Sequence, residues 1–334
     1  SPALMPTKSN LPLKKPRRAD ARREVRAFLV AAFVLLSLLL LLTAGYLALR
    51  FSPFPGLEGF LERPYSALIT DRKGRILRVM PLEGGLRREY VSLGEVPPAV
   101  IEAFVVSEDR RFFVHPGFDG FALLRSLVDA AAAGRVVSGA STISMQLAGI
   151  VAPGERSFSG KVREVINALR IETRLSKGEI LELWLNSLPF GGQAEGIQSG
   201  SRSIFGKPVA ELTVAEALLL AVVPRRPRDL VPGDNPEAAV TAALGTAGRF
   251  RLPVGESELS RAADFAAGRR QTRRFEAPHF LEAAASGVRE AEIRRTSLDL
   301  DIQHKLEELV RHALERSRTH RINHAAAVLF DTRT

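Results

Sequence analysis

The 334-residue sequence predicts a mainly α-helical protein with a small β hairpin, preceded by one membrane-spanning helix. Three observations carry that expectation. Ala27–Leu49 (AFLVAAFVLLSLLLLLTAGYLAL) is apolar and uncharged from end to end. From about Pro97 onward apolar residues recur at helical spacing through most of the chain, interrupted by Pro224, Pro227, Pro232 and Pro236. Between the two lies SALITDRKGRILRVM (Ser66–Met80), two β-prone runs around a polar turn at Asp71–Gly74.

The elements follow in order. Residues 1–26 form a basic tail, with Lys8, Lys14, Lys15, Arg17, Arg18, Arg22, Arg23 and Arg26 against Asp20 and Glu24, so more than half of the net charge of +10 sits there. No nucleic-acid recognition pattern accompanies that charge, so it does not argue for nucleic acid. Residues 27–49 are long enough to cross a bilayer core of ~30 Å, and longer than the apolar part of a cleaved signal. Positive charge ahead of the span places the N-terminus in the cytoplasm and the remainder outside. Residues 50–63, with Pro53, Pro55 and Gly59, read as a linker. Helices are then expected near 97–107, 119–134, 140–150, 159–175, 177–185, 193–204 and 213–223, and residues 235–295 as further helices and loops. From Thr296 a polar, helix-prone stretch leads to a strand at Ala325–Thr332. The sequence has no cysteine, which excludes disulfides, zinc–thiolate sites and a cysteine nucleophile.

Chemistry concentrates in four stretches. In SEDRRFFVHPGFDG (Ser107–Gly120) two carboxylates, Glu108 and Asp109, close an apolar helix and are followed by cations, aromatics and His115. They read either as a solvated helix end or as a general base held in a cleft for an anionic substrate; His115 taken singly is more often a structural hydrogen-bonder. GASTISMQLAG (Gly139–Gly149) sets small and hydroxyl residues before a helix, either a plain N-cap or an anion site of free N–H groups and hydroxyls. In KVREVINALRIETRLSKGEILELWLN (Lys161–Asn186), Lys161, Glu164, Ala168 and Glu172 share one helix stripe, with Val162, Val165, Ile166 and Leu169 expected as the apolar face. An ordinary solvated face with i,i+3 pairs would look the same. The fourth stretch is FGGQAEGIQSGSRSIFGK (Phe190–Lys207).

Taken together, the stretches resemble the glycosyltransferase family 51 domain of class A penicillin-binding proteins and of monofunctional peptidoglycan glycosyltransferases. The pattern E-D-x-x-F-x-x-H-x-G stands as Glu108 to Gly117, and G-x-S-T-I-x-Q-Q-L as Gly139 to Leu147. R-K-x-x-E is matched by Lys161 and Glu164, and K-x-x-I-L-E-x-Y-L-N by Lys177 to Asn186. The resemblance covers residues 64–295, and residues 296–334 look like the linker and first strand of the family's transpeptidase domain. No serine has a lysine three positions on, so the S-x-x-K acylation motif is missing. The departures are Met145 for a glutamine, Gly149 for a Lys or Arg, Gly160 for an arginine and Trp184 for a tyrosine. The Met145-Gln146 pair and PFGG resemble the 1C branch of the family.

The resemblance implies a lysozyme-like domain that polymerises lipid II. The 4-hydroxyl of one disaccharide attacks the anomeric carbon of a lipid-linked chain with inversion, releasing undecaprenyl pyrophosphate. Glu108 would be the base, since a sugar hydroxyl is a poor nucleophile at neutral pH, and a base is best partly desolvated. Lys161, with Arg163, would bind the leaving pyrophosphate, and Ser141, Thr142 and Gln146 would add hydrogen bonds. Glu164 would orient those cations or help hold a divalent metal, while Asp109 and His115 would organise the loop. No cofactor is required, with room for a divalent metal (Mg2+ or Mn2+) at the pyrophosphate. The implied partners are lipid II, the growing glycan strand, membrane lipid, moenomycin as inhibitor and other cell-wall synthesis proteins, on the outer face of a bacterial cytoplasmic membrane. Two rival readings are a lytic, glycan-cleaving enzyme with Glu108 as general acid, and a catalytically weak scaffold tethered in a cell-wall complex. The missing cations at 149 and 160 weaken the expected pyrophosphate site.

Overall fold

The computed structural model describes residues 18–121, 141–155, 157–271, 276–317, 322 and 324–329. It divides into two compact units, Ser1–Pro53 and Phe54–Thr334. The first holds one helix, α1 (Arg18–Phe51). Within its segment Arg26–Phe51 an 18-residue window reaches a mean hydropathy of 2.8, and residues 26–48 are exposed on every face. A helix that is apolar all round and covered by nothing is long and apolar enough to cross a membrane.

The second unit begins within the expected linker, and there the structure corrects the sequence reading. Residues 55–61 form α2 (Pro55–Leu61), whose Leu57, together with Phe54, lies in the main core. Proline at the first helical position and two buried apolar anchors make this stretch part of the folded unit.

Strands β1 (Leu68–Thr70) and β2 (Ile76–Val79) pair antiparallel, with Leu68 opposite Val79. Their turn is an Asx type: the Asp71 carboxylate accepts from the backbone N–H groups of Lys73 and Arg75, both at 2.8 Å, and Gly74 takes φ 84°. Farther along, β3 (Arg87–Arg88) pairs in parallel with β4 (Ala194–Glu195). The helices and loops expected over 235–295 end in a strand that was not expected: β5 (Ile293–Arg295) adds to β1 in parallel and gives the order β2-β1-β5.

The helical body explains itself locally. Helix α3 (Pro98–Glu108) starts on a proline, buries Val100, Ala103, Phe104 and Val105, and stops where Asp109 leaves helical geometry at φ −154°. Helix α4 (Ile143–Val151) is capped by Thr142, and α5 (Phe158–Glu172) by Ser157. Capping boxes begin α6 (Lys177–Leu185), through Ser176 and Glu179, and a later helix, Val214–Val222, through Thr213 and Glu216. Between these two lies α7 (Ile197–Phe205). It starts four residues after the expected position because Gln193 and Gly196 adopt φ of 64° and 87°, which no α-helix accommodates. The helix Val214–Val222 is α8, and Ala215 to Val222 are all buried, as befits a central core helix. It packs on α3 and on the two helices that follow, α9 (Pro236–Phe250) and α10 (Glu256–Gln271), while α4 packs on α5 and α6. Trp184 and Phe190 meet Phe104 edge-on, with ring centroids 6.2 and 6.3 Å away. Together these rings fix the end of α3 relative to α6.

The remaining elements are α11 (Pro278–Ala284) and α12 (Leu300–Arg316). A second small core of Ile69, Leu77 and Leu281 joins the hairpin to α11. Three sequence expectations change here or fall outside. The helix expected at 119–134 lies, from residue 122 on, outside the described residues. At 325–332 no strand forms among the described residues; a strand requires a ladder partner, and Val328 is 85% exposed. The inward face of α5 is also only partly the one expected: Val165 packs against the main core, but Val162 and Ile166 are each 44% exposed, and Asn167, Ala168 and Ile171 are the buried residues. The stripe bearing Glu164 and Glu172 turns inward instead: Glu172 meets Lys177 of α6, while Glu164 pairs with Lys161 of its own helix.

Candidate functional site

Glu108 is the last residue of α3, and its side chain is 16% exposed. Two donors converge on it from different elements. Gln146 Nε2 of α4 donates to one carboxylate oxygen at 3.0 Å, and Arg225 Nε donates to the other at 2.7 Å. The amide of Gln146 is itself fixed, because its Oε1 accepts from the indole N–H of Trp184 at 3.1 Å. An indole N–H is a donor only, so the amide oxygen faces the ring and the NH2 faces Glu108. Arg225 ends the 3-10 turn Val223–Arg225, immediately after α8. Its guanidinium also donates to the Ser107 carbonyl and hydroxyl and, at 3.3 Å, to Thr246 Oγ1.

A second cluster lies along α5. Lys161 Nζ donates to Ser141 Oγ at 2.6 Å and to Glu164 at 2.8 Å, and it remains 42% exposed. Helix α4 links this cluster to Glu108. Gln146 and Gly149 are three residues apart and so share a face, and a Cβ built at Gly149 would lie 3.9 Å from Glu164 Oε1 with nothing nearer. The base candidate and the ammonium–carboxylate pair therefore flank one helix face.

Behind them a buried network sets the loop 109–117. The Asp109 carboxylate receives the His115 Nε2–H at 2.9 Å and the Ile143 backbone N–H at 3.0 Å. The Gly117 N–H donates to His115 Nδ1 at 3.2 Å, which leaves the ring its proton on Nε2. Lys177 Nζ bridges the His115 carbonyl (2.8 Å) and Glu172 (2.6 Å), and Glu172 also accepts from Ser144.

The predicted residues thus separate into two groups. Glu108, Gln146, Ser141, Lys161 and Glu164 come together as above, and Arg163 is exposed on α5. Thr142, Asp109 and His115 are instead buried in the network behind them. Thr142 is 2% exposed, and its hydroxyl caps α4 and donates to the Gly117 carbonyl at 2.6 Å, so it holds the loop rather than a ligand. The N–H groups expected to meet an anion at this helix start are partly spent: those of Ile143 and Met145 go to Asp109 and Thr142. Gly139 and Ala140 lie outside the described residues.

Two participants escaped the sequence reading. Arg225 belongs to the run PRRPR (Pro224–Arg228), and the only available signal was a cluster of cations closing a fully buried helix. Trp184 was read as a departure, yet it is the residue that orients Gln146. For a metal shared with a pyrophosphate, Glu164 is the carboxylate in place. Glu164 offers one carboxylate already paired with Lys161, and among the described residues no three acidic or histidine side chains form a cage.

Comparison with known proteins bears on the family. The family model described as Transglycosylase matches residues 73–247. Penicillin-binding protein 1C of Escherichia coli (strain K12) is 42% identical over 158 residues, 47% of this chain and 20% of that protein. Penicillin-binding protein 1A of Aquifex aeolicus (strain VF5) is 38% identical over 189 residues, 56% of this chain and 26% of that protein. The chain thus spans about a fifth to a quarter of the length of the curated relatives it matches. The crystal structure of penicillin-binding protein 1A from Haemophilus influenzae shares 16% identity over 76% of this chain and 24% of that one, at a TM-score of 0.31, a likeness that carries no argument.

Proposed function

The chain belongs to the transglycosylase family, and from that premise we propose that it is a membrane-anchored peptidoglycan glycosyltransferase polymerising lipid II. The observation that carries this reading is the pair of clusters along α4: a carboxylate with two fixed donors on one side, an ammonium–carboxylate pair on the other. A glycosyl transfer from a pyrophosphate needs both. Glu108 removes the proton from the attacking 4-hydroxyl as the new C–O bond forms at the anomeric carbon. The bond to pyrophosphate breaks with its electron pair on the leaving oxygen, and the configuration inverts. General-base help of this kind is worth ~10²–10⁴ in rate. The leaving group is already a weak base, so it needs positive charge more than a proton. Lys161 supplies that charge with Ser141 beside it, Arg163 adds to it, and Glu164 holds the ammonium in place. A divalent metal bound at the pyrophosphate would take Glu164 as its protein carboxylate and add positive charge there.

In this reading α1 anchors the enzyme in the bacterial cytoplasmic membrane, with the basic tail on the cytoplasmic side and the Phe54–Thr334 unit outside, where a polyprenyl-linked substrate remains in the bilayer. Substrates are lipid II and the growing glycan strand, and moenomycin is the expected inhibitor.

The test is incubation of the purified chain with labelled lipid II, with and without moenomycin, alongside Glu108→Gln. Polymer is expected from the parent chain, none with moenomycin, and less than a tenth of the parent rate from the variant. Cleavage of preformed glycan without polymer would establish the lytic reading instead. A folded protein inert towards both substrates would be a scaffold.

A further inference from the structure

We propose that Arg225 is a positioning residue for the base: it fixes one oxygen of Glu108 while Gln146 fixes the other, so that the lone pairs left over point at the incoming hydroxyl. The inference rests on the reading of Glu108 as the base. It begins with the number of anchors on the guanidinium. Besides Glu108, Arg225 donates to the carbonyl and hydroxyl of Ser107 and to Thr246 Oγ1 of α9. A side chain held at three further acceptors does not depend on Glu108 for its position. It is a strut attached to the neighbouring backbone and to a second helix, not a latch that the substrate must lift.

Its base is rigid as well. The 3-10 turn Val223–Arg225 continues α8, whose last eight residues, Ala215 to Val222, are buried, and α8 packs directly on α3. Glu108 is at the frayed end of α3, where the following residue has already left the helix. A terminal side chain on such an end would otherwise explore several rotamers. An ionised carboxylate offers about four acceptor sites on two oxygens. Arg225 and Gln146 occupy one on each oxygen, which defines the carboxylate plane and still leaves an acceptor for the substrate proton. A guanidinium suits the task better than an ammonium, since its planar fork reaches Ser107 and Glu108 together.

Reactions of this kind lose rate steeply with misplacement, by ~10²-fold for an ångström. Arg225→Met keeps an unbranched apolar stem and removes the donors. We expect kcat to fall by about 10- to 100-fold, with KM for lipid II within about twofold of the parent. Arg225→Lys keeps the charge but not the fork, and should recover less than half of the loss. Thermal unfolding of both variants is measured in parallel, because a merely structural role would lower the melting temperature of Arg225→Met without a selective loss of kcat in the folded protein. Unchanged kcat in Arg225→Met overturns the proposal. So does a loss confined to KM, which would make Arg225 a substrate-binding cation, and so does full rescue by lysine. Glu108→Gln in the same assay separates the two ideas. If it remains active the base assignment fails; if it is dead while Arg225→Met behaves as parent, only the strut fails.

Discussion

At the scale of single residues, the two glycines that stand where the family carries cations are not equivalent. Gly160 has no room: a Cβ there would come within 2.0 Å of the Glu155 carbonyl oxygen, so a larger side chain demands a shift of the backbone. Gly149 is open, lies inside α4 two residues before its end, and would direct a Cβ towards Glu164. Gly149→Lys is therefore expected to place a second ammonium beside Lys161 and Glu164. Unit charges ~4 Å apart at an effective dielectric of ~20 interact by about 4 kcal/mol before desolvation costs. A quarter of that, felt only as the pyrophosphate departs, is about fivefold in rate. Replacing a helical glycine also removes a propensity penalty of roughly 0.8 kcal/mol, so the melting temperature should rise slightly. Turnover of lipid II at low and high salt checks the idea: the gain should shrink as salt rises, and equal turnover by the two proteins would mean that the cation is supplied elsewhere.

Among the elements, the hairpin and α12 depend on each other through charge. Asp301 lies 2.6 Å from both Arg75 and Lys73. Hydrogen bonds from Arg75 and then Lys73 hold its carboxyl below the usual Asp range. A depressed carboxylate stabilises the folded state above its unfolded pKa of about 3.9 and loses that contribution as pH falls below it. Asp301→Asn should therefore weaken amide protection in the 68–79 hairpin at pH 7, and the difference from the parent should narrow below about pH 4. A gap of constant size between pH 7 and pH 3 would show that the ion pairs contribute nothing there. The same region shows what local sequence could and could not reveal. The β1–β2 hairpin was legible because its strands and its Asp71–Gly74 turn are contiguous. The pairing of β5 with β1 was not, because Ile293 and Leu68 are partners across most of the chain and no local pattern records that. Helix α5 was legible as a helix but only partly in its orientation: hydropathy favoured the face with Val162 and Ile166, while Glu172 turns inward to Lys177 of α6 and Glu164 pairs with Lys161 of its own helix. In the site, Glu108, Lys161 and Glu164 followed from motif order, whereas Arg225 arrives from a turn 117 residues beyond Glu108 and is visible only in the folded chain.

For the molecule as a whole, the division into an apolar helix and a separately cored unit has a kinetic consequence. The main core runs from Phe54 to Ala266 and includes no residue of the first unit, so the Phe54–Thr334 unit carries the burial its own folding needs. Removing residues 1–53 should leave its melting temperature unchanged, the circular dichroism losing only the contribution of α1. Under the proposed function the deletion acts on encounter rather than chemistry. A substrate confined to a bilayer and an enzyme confined beside it meet at a high effective concentration, which a freely diffusing unit forfeits; such tethering is worth on the order of 10²-fold or more. In detergent micelles, where enzyme and lipid II are both dispersed, the truncated and full chains should polymerise at similar rates. In vesicles the truncated chain should be slower by at least about tenfold below saturation, and the deficit should close as lipid II is raised. Equal rates in vesicles would mean that the apolar helix plays no part in substrate encounter. A truncated protein slow in both settings would instead place part of the catalytic requirement within residues 1–53.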